Sequence, residues 1–285
     1  MKRDNETKFI VLILVAISFL ALGGIFVKLS ALPPINTGFY RILFALPFLA
    51  PFVLKDVKNL ARKDLIIIIL SGVFLAGDLI LWHISFNYTT VANANLLANL
   101  VPFTRIPISF FVFKEKISKY FLGGLIITLA GVAVLMAGKI KPSPSNFIGD
   151  LMAFSTSIFY ALFMLSVYKV RDKIGALTII FVSAFGSLPV LFVAMGVMEG
   201  FYVPSNFKEL APLLALAILC HIGGQGLMAF CLGKLSANLS SVLVLFQPII
   251  AAIYAYFIFA ESLSLIEICG IFITLIGIYF AKKNA

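Results

Sequence analysis

Residues 101–132, "VPFTRIPISFFVFKEKISKYFLGGLIITLAGV", lie without a gap on residues 247–278, "QPIIAAIYAYFIFAESLSLIEICGIFITLIGI", when the chain is shifted by 146 positions. The identical pairs are Pro102/Pro248, Phe111/Phe257, Phe113/Phe259, Glu115/Glu261, Ser118/Ser264, Gly124/Gly270, Ile127/Ile273, Thr128/Thr274, Leu129/Leu275 and Gly131/Gly277. Two unrelated apolar stretches would match at leucine and isoleucine. They would rarely match at proline, glutamate and two glycines in a single register. The chain therefore reads as a duplication.

Composition says what was duplicated. Of the 285 residues, 62% are hydrophobic and 12% charged, where a soluble domain carries about 45–50% and about 25%. A mean hydropathy of +1.11 leaves little water-facing surface. A spanning helix needs about 20 mostly apolar residues, and ten such runs are present, roughly 9–28, 35–54, 65–85, 91–113, 120–138, 149–168, 176–198, 210–231, 236–259 and 263–281. The expected fold is all-α integral membrane, with ten transmembrane helices in two five-helix repeats, residues 1–140 and 141–285. Five is odd, so the two copies insert with opposite topology, the inverted-repeat design of many secondary transporters. The start "MKRDNETKFIVLILVAISFLALGG" looks like a signal peptide, but its apolar run nearly suffices to span and more spans follow. It reads as the first transmembrane helix.

The charges orient the chain. Placing the N-terminus in the cytoplasm puts 16 Lys and Arg on the inside and only Lys139, Lys141 and Lys208 outside; Lys28, Arg41 and Arg105 fall in or at the ends of spans. That asymmetry predicts a multi-pass membrane protein with both termini cytoplasmic. The net charge of +10 is scattered over short loops rather than gathered on one basic face, which argues against nucleic acid as a partner. The partners expected are the lipid bilayer and a small-molecule substrate, with a homodimer possible in principle.

Enzyme chemistry finds no support. The chain has two histidines and lacks HExxH, GxSxG, a paired-carboxylate cluster and a phosphate-cradling glycine loop. Cys220, Cys231 and Cys269 lie in apolar runs without metal-ligand spacing, so no metal and no cofactor are expected. "NYT" at 87–89 matches a glycosylation acceptor by coincidence in so short a loop. Gly124, Gly131 and Gly138, like Gly270 and Gly277, recur every seven residues, which puts small residues on one helix face for close packing.

The polar residues inside the runs carry the functional question. In the fourth run Asn95, Asn99, Pro102, Arg105 and Ser109 fall on one helical face. An arginine at mid-membrane costs about 2.5–3.5 kcal/mol on insertion scales and should face protein or a water-filled cavity. Two readings stand for Arg105. It satisfies carbonyls freed by Pro102 and Pro107 or snorkels to the cytoplasmic face, or it is a fixed positive charge for a carboxylate or phosphate.

Asp78 shares a face with Ser71, Trp82 and Ser85 in the third run, nearer the outer surface than Arg105. It either clasps Arg41 of the second run or binds an amine or a coupling proton. His221 and Gln225 are i,i+4 neighbours in the eighth run, joined at similar depth by Tyr160, Gln247 and Ser18. His221 could relay protons.

The duplicated "P…FVFKEKIS…GG…AG" and "QP…FIFAESLS…CG…IG" segments, with "GFYRILFALPFL" in the second run, resemble the EamA-type ten-helix permeases of the drug/metabolite transporter superfamily. The resemblance covers essentially the whole chain. It implies inner-membrane transport, often export, of small organic molecules such as amino acids, through a central cavity lined by spans 1, 3, 4, 6, 8 and 9. The Arg105 position is commonly small or apolar in such permeases, and its repeat mate here is Ala251. That departure favours a substrate with a negative group.

The expected function is thus secondary transport of a small zwitterionic or anionic metabolite. Asp78, Trp82, Asn95, Asn99, Arg105, Tyr160, His221, Gln225 and Gln247 would bind substrate, and Pro102 and Pro248 would be matched hinges. Uptake or exchange of a larger, nucleotide-like cofactor is the alternative within transport. A membrane-embedded enzyme or a non-transporting scaffold is the alternative outside it.

Overall fold

The computed structural model describes residues 2–85, 87–89, 94, 97–113, 118–137, 146–232, 234–235, 237–259 and 264–283. Every element among them is helical. The first half contributes α1 (Lys2–Leu29), α2 (Pro34–Leu43), α3 (Ala45–Val57), α4 (Arg62–Ser85), α5 (Val101–Phe113) and α6 (Lys119–Ala137). The second half contributes α7 (Asn146–Val170), α8 (Ala176–Met198), α9 (Phe207–Ala215), a π-helical segment (Leu216–Gly226), α10 (Leu227–Leu232), α11 (Ala237–Leu243), a 3₁₀ turn (Val244–Phe246), α12 (Gln247–Phe259) and α13 (Leu265–Lys283).

Eight stretches among the described residues are long and apolar enough to cross a membrane: Thr7–Leu29, Pro34–Val57, Arg62–Ser85, Phe147–Val170, Ala176–Met198, Phe207–Leu232, Leu239–Ile258 and Leu265–Lys282. Lys119–Leu135 is a shorter apolar helix, and α5 covers the second half of the expected fourth run. Large apolar side chains such as Phe52, Val197 and Phe257 are about three-quarters exposed or more. In water such a surface would be an aggregation hazard; in a bilayer it meets hydrocarbon.

Among the described residues, four spans depart from a continuous α-helix, the eighth through its π-helical segment. The second breaks at Phe44 between α2 and α3. Pro47 has no amide to donate to the Leu43 carbonyl one turn back, so the ladder is interrupted there. In the ninth, the 3₁₀ turn precedes Gln247–Pro248. In the fourth, a turn at Asn99–Leu100 precedes Val101–Pro102. Pro102 and Pro248 are each the second residue of a helix, where an amide hydrogen is not needed.

Glycine faces set the helix contacts. A methyl group on Gly131 would strike the backbone of Thr274, and one on Gly277 would strike the backbone of Thr128; Gly124 meets Ala281 as Gly270 meets Leu135. Each contact becomes its partner under the 146-residue shift, so α6 and α13 pack through equivalent surfaces. Gly138, the third glycine of the first series, lies outside the described residues. Gly72 of α4 and Gly186 of α8 abut the carbonyls of Ser183 and Ile69, and Ser187 Oγ donates to the Gly72 carbonyl at 2.7 Å. α4 is thereby held between α7 and α8, while the π-helical segment packs on α1 and α2.

One loop fixes the start of α2. The Glu199 carboxylate accepts hydrogen bonds from the amides of Ile35 (2.9 Å) and Asn36 (3.0 Å) and from Asn36 Nδ2 (2.9 Å). Asn36 in turn donates to the Gly200 carbonyl and accepts from the Tyr202 amide. Gly200 has φ of 86°, a left-handed conformation open to glycine at little cost. A carboxylate here also meets the positive end of the α2 dipole.

Candidate functional site

Two of the expected residues meet across spans: Tyr160 Oη of α7 donates to Gln225 Oε1 of the π-helical segment at 3.4 Å, long for a bond between oxygens. His221 lies one turn before Gln225 on that segment, and Asp78 of α4 follows Gly77, which abuts the ring of Phe159 next to Tyr160. His221 is buried, and its Nε2 has no hydrogen-bond partner among the described residues.

The segment that presents His221 and Gln225 is wider than an α-helix. Its sequence "LAILCHIGGQG" bonds each amide to a carbonyl five residues back. Gly223 and Gly224 let α1 approach so closely that a methyl group on Gly224 would overlap Leu20. Close packing of this kind, rather than helix propensity, can hold a π-helix, and such segments recur at functional sites.

Asp78 is half-buried, and no hydrogen bond or ion pair to it forms among the described residues. Arg41 is the arginine whose charge acts on it, yet the two do not close to the 4 Å of an ion pair. The expected alternative of an Asp78–Arg41 clasp is not formed. Ser71, Ser85 and Ser18 all turn back onto carbonyls of their own helices, at 2.6, 2.6 and 2.9 Å. These hydroxyls are satisfied locally.

Arg105 takes a different course. It is buried on α5, and its guanidinium carbon lies 5.9 Å from the centre of the Tyr168 ring. Arg171 approaches the same ring to 4.1 Å. Tyr168 lies eight residues beyond Tyr160, or about 12 Å farther along α7. Two guanidinium groups thus share one aromatic ring toward the end of that helix. Beside Arg105, Thr104 Oγ1 donates to the Ser157 carbonyl at 2.9 Å and ties α5 to α7.

Trp82 is half-buried, with its ring 5.1 Å from that of His83. Asn99 is half-buried in the turn before α5, and Gln247 is half-buried at the start of α12. Asn95, the side chain of Ser109 and the Glu115/Glu261 pair lie outside the described residues. No cluster of three or more metal-ligating side chains occurs among the described residues.

Sequence reasoning missed two groups. His83 is 3% exposed, with neither ring nitrogen hydrogen-bonded among the described residues. Arg41, considered only as a partner for Asp78, lies one turn from Gly38, where an added methyl group would sit 3.5 Å from His83 Cε1. The available signal was the placing of Arg41 between Pro34 and Pro47, on a span bound to break.

The sequence profile described as the EamA-like transporter family matches residues 7–137 and 147–282. An uncharacterised transporter of Archaeoglobus fulgidus is 27% identical over 95% of this chain and 97% of its own length. The uncharacterised transporter YetK of Bacillus subtilis is 27% identical over 79% of this chain and 70% of its own. A solved crystal structure superposes with a TM-score of 0.80 at 16% identity, over 98% of this chain and 97% of that one, and shows the same fold. With these matches covering nearly all of its length, the chain belongs to the EamA-like transporter family and is a multi-pass membrane transporter.

Proposed function

We propose that this transporter moves a small zwitterionic or anionic metabolite, such as an amino acid, outward across the inner membrane by alternating access. In this reading ten spans form two inverted repeats, residues 1–140 and 141–285, that rock about Pro102 and Pro248. The reciprocal contacts of Gly131 with Thr274 and of Gly277 with Thr128 support it, because a two-fold axis between the repeats would produce them. So do the matched interruptions before the two prolines.

The observation that supports the substrate class is the meeting of Tyr160 and Gln225 close to Asp78, with the buried His221 Nε2 one turn away lacking a hydrogen-bond partner among the described residues. An unsatisfied buried donor or acceptor costs about 1–3 kcal/mol, and a polar ligand recovers it. Trp82 would pack on the apolar part of that ligand. Arg105 would serve as an anion station farther along α7, used in passage rather than in first binding.

A second reading is favoured by one feature. Arg105 and Arg171 on a single tyrosine ring offer two forked donors of the sort that suit phosphate, which supports exchange of a phosphorylated, nucleotide-like metabolite. Reconstitution into proteoliposomes with a radiolabelled panel of amino acids, simple carboxylates and nucleotides separates the two. Exchange of amino acids supports the first reading, exchange of nucleotides alone supports the second, and exchange of none rejects both.

A further inference from the structure

The second and seventh spans, α2–α3 and α8, belong to different halves of the chain and pack side by side. A carboxylate joins them at each end of the seam. At one end Glu199, the residue after α8, accepts from the amides of Ile35 and Asn36 and from Asn36 Nδ2. The Gly200 carbonyl and the Tyr202 amide complete the hold on Asn36, the third residue of α2. At the other end Asp56, the last residue but one of α3, accepts from Oγ1 of Thr178, the third residue of α8.

The spacing matches as well. Asp56 lies 20 residues after Asn36, and Glu199 lies 21 residues after Thr178. In both cases a carboxylate where one half's span ends reaches the first turn of the other half's span. A two-fold axis lying in the membrane plane between inverted repeats would exchange the two contacts.

The two contacts are equivalent in place and unequal in strength. At the Glu199 end the bonds run from 2.9 to 3.1 Å. At the Asp56 end a single bond of 3.4 Å is formed among the described residues, long for two oxygens. Glu199 serves α2 as a capping carboxylate, since it takes two of the first-turn amides that no carbonyl within the helix can reach. α8 has no side-chain cap at its start, although Asp56 stands beside Thr178. Both contacts cross from one half to the other, so a rocking of the halves that parts one end of the seam closes the opposite end.

We propose that Glu199 and Asp56 are alternating latches, Glu199 on the outer side and Asp56 on the cytoplasmic side. Each carboxylate caps the first turn of the opposite half's helix while its side of the membrane is closed, and releases it when that side opens. The structure holds the Glu199 latch shut and the Asp56 latch slack, which is the arrangement of a state closed to the outside. This rests on the reading of the protein as an alternating-access transporter of two inverted repeats, and it assigns that reading the contacts that select its states.

The test reads the two ends separately by spin-label distance measurements on full-length protein in lipid nanodiscs. The exposed Cys269 is replaced by serine, and Cys220 and Cys231 are buried. One label pair, on L29C and V203C, spans the Glu199 end, and a second, on K58C and K173C, spans the Asp56 end; all four positions are exposed. Glu199→Ala should raise the ratio of long to short outer distances about tenfold or more, as expected for lost bonds to a charged group, and shift the inner pair toward shorter distances. Glu199→Gln, which keeps an acceptor, should fall between wild type and Glu199→Ala. Adding Asp56→Ala to either variant should return the ratio toward wild type, even though it removes a further contact. A merely structural anchor predicts no such reversal.

Where Glu199→Ala fails to fold, Glu199→Gln carries the same comparison. Outer distances unmoved by the Glu199 variants, or not reversed by Asp56→Ala, overturn the latches; the transport reading then still stands if wild type exchanges a labelled metabolite in proteoliposomes. One fixed distance at each end in every variant, with no exchange of any metabolite in the panel, overturns the alternating-access reading itself.

Discussion

Glu199 grips Asn36 twice, accepting from its backbone amide at 3.0 Å and from its side-chain Nδ2 at 2.9 Å. The two residues are 163 positions apart, and the contact fastens the loop after α8 to the first turn of α2. Arg41 is five residues farther along that helix, so the register of α2 against α4 depends on this anchor. Removing the carboxylate would orphan two backbone amides at a helix N-terminus and leave Asn36 Nδ2 only its bond to the Gly200 carbonyl. Glu199→Ala should lower stability by about 1–2 kcal/mol, and Glu199→Gln should cost less because its amide oxygen still accepts. Thermal melts of the purified variants check the order. Equal melting of wild type and Glu199→Ala would show the anchor to be idle.

The α6–α13 seam offers a comparison between equivalent sites. Gly131→Val and Gly277→Val each push side-chain atoms into the backbone of a threonine that cannot rotate away. Overpacking of this kind costs about 1–3 kcal/mol. Two-fold packing predicts closely similar losses in the two variants. Gly123, with nothing within 4 Å of an added methyl group, should accept valine without a steric penalty. Unequal losses at Gly131 and Gly277, measured as shifts in melting temperature, would argue against equivalent surfaces.

Thr104 bridges α5 to α7 through the Ser157 carbonyl. Thr104→Val keeps the shape and deletes the hydroxyl, leaving a buried acceptor with one bond fewer. The expected loss is about 1 kcal/mol, and the variant should remain folded. Thr104→Ser, which retains the donor, should stay closer to wild type in the same melts.

Arg105 is testable apart from the Tyr160–Gln225 pair. Arg105→Gln removes the charge beside Tyr168, well along α7 from the Tyr160 cluster. It should slow exchange by roughly tenfold, the worth of one contact to a charged group, while stabilisation of the protein by added amino acid persists. A ligand that prefers the native state stabilises it in proportion to its binding, so a thermal shift reads binding apart from turnover. Loss of the thermal shift in Arg105→Gln would place Arg105 in the primary site instead.

Much of this was written in local sequence. Run length and charge placement mark the spans because a bilayer admits few solutions. The glycines of α6 and α13 declared their packing face through their spacing. The polar character of Asp78, His221 and Gln225 was plain because such residues are rare in apolar runs. Long-range geometry was not plain. The π-helical register depends on α1 pressing against Gly224, and the anchoring of α2 depends on a glutamate from the other half of the chain. The exposure of Arg105 to Tyr168 rather than to Asp78 depends on where a long side chain finds an aromatic ring. The approach of α2 to His83 at Gly38 was not plain either, since it joins two segments distant in sequence.

The most direct test of the central claim is counterflow by wild-type protein in proteoliposomes preloaded with unlabelled amino acids, following uptake of each labelled amino acid beside its deaminated acid and decarboxylated amine. The account predicts accumulation of at least one amino acid or of the acid made from it, and little of the amine. Accumulation of the amine alone, or of a nucleotide with neither amino acid nor simple carboxylate, would contradict it.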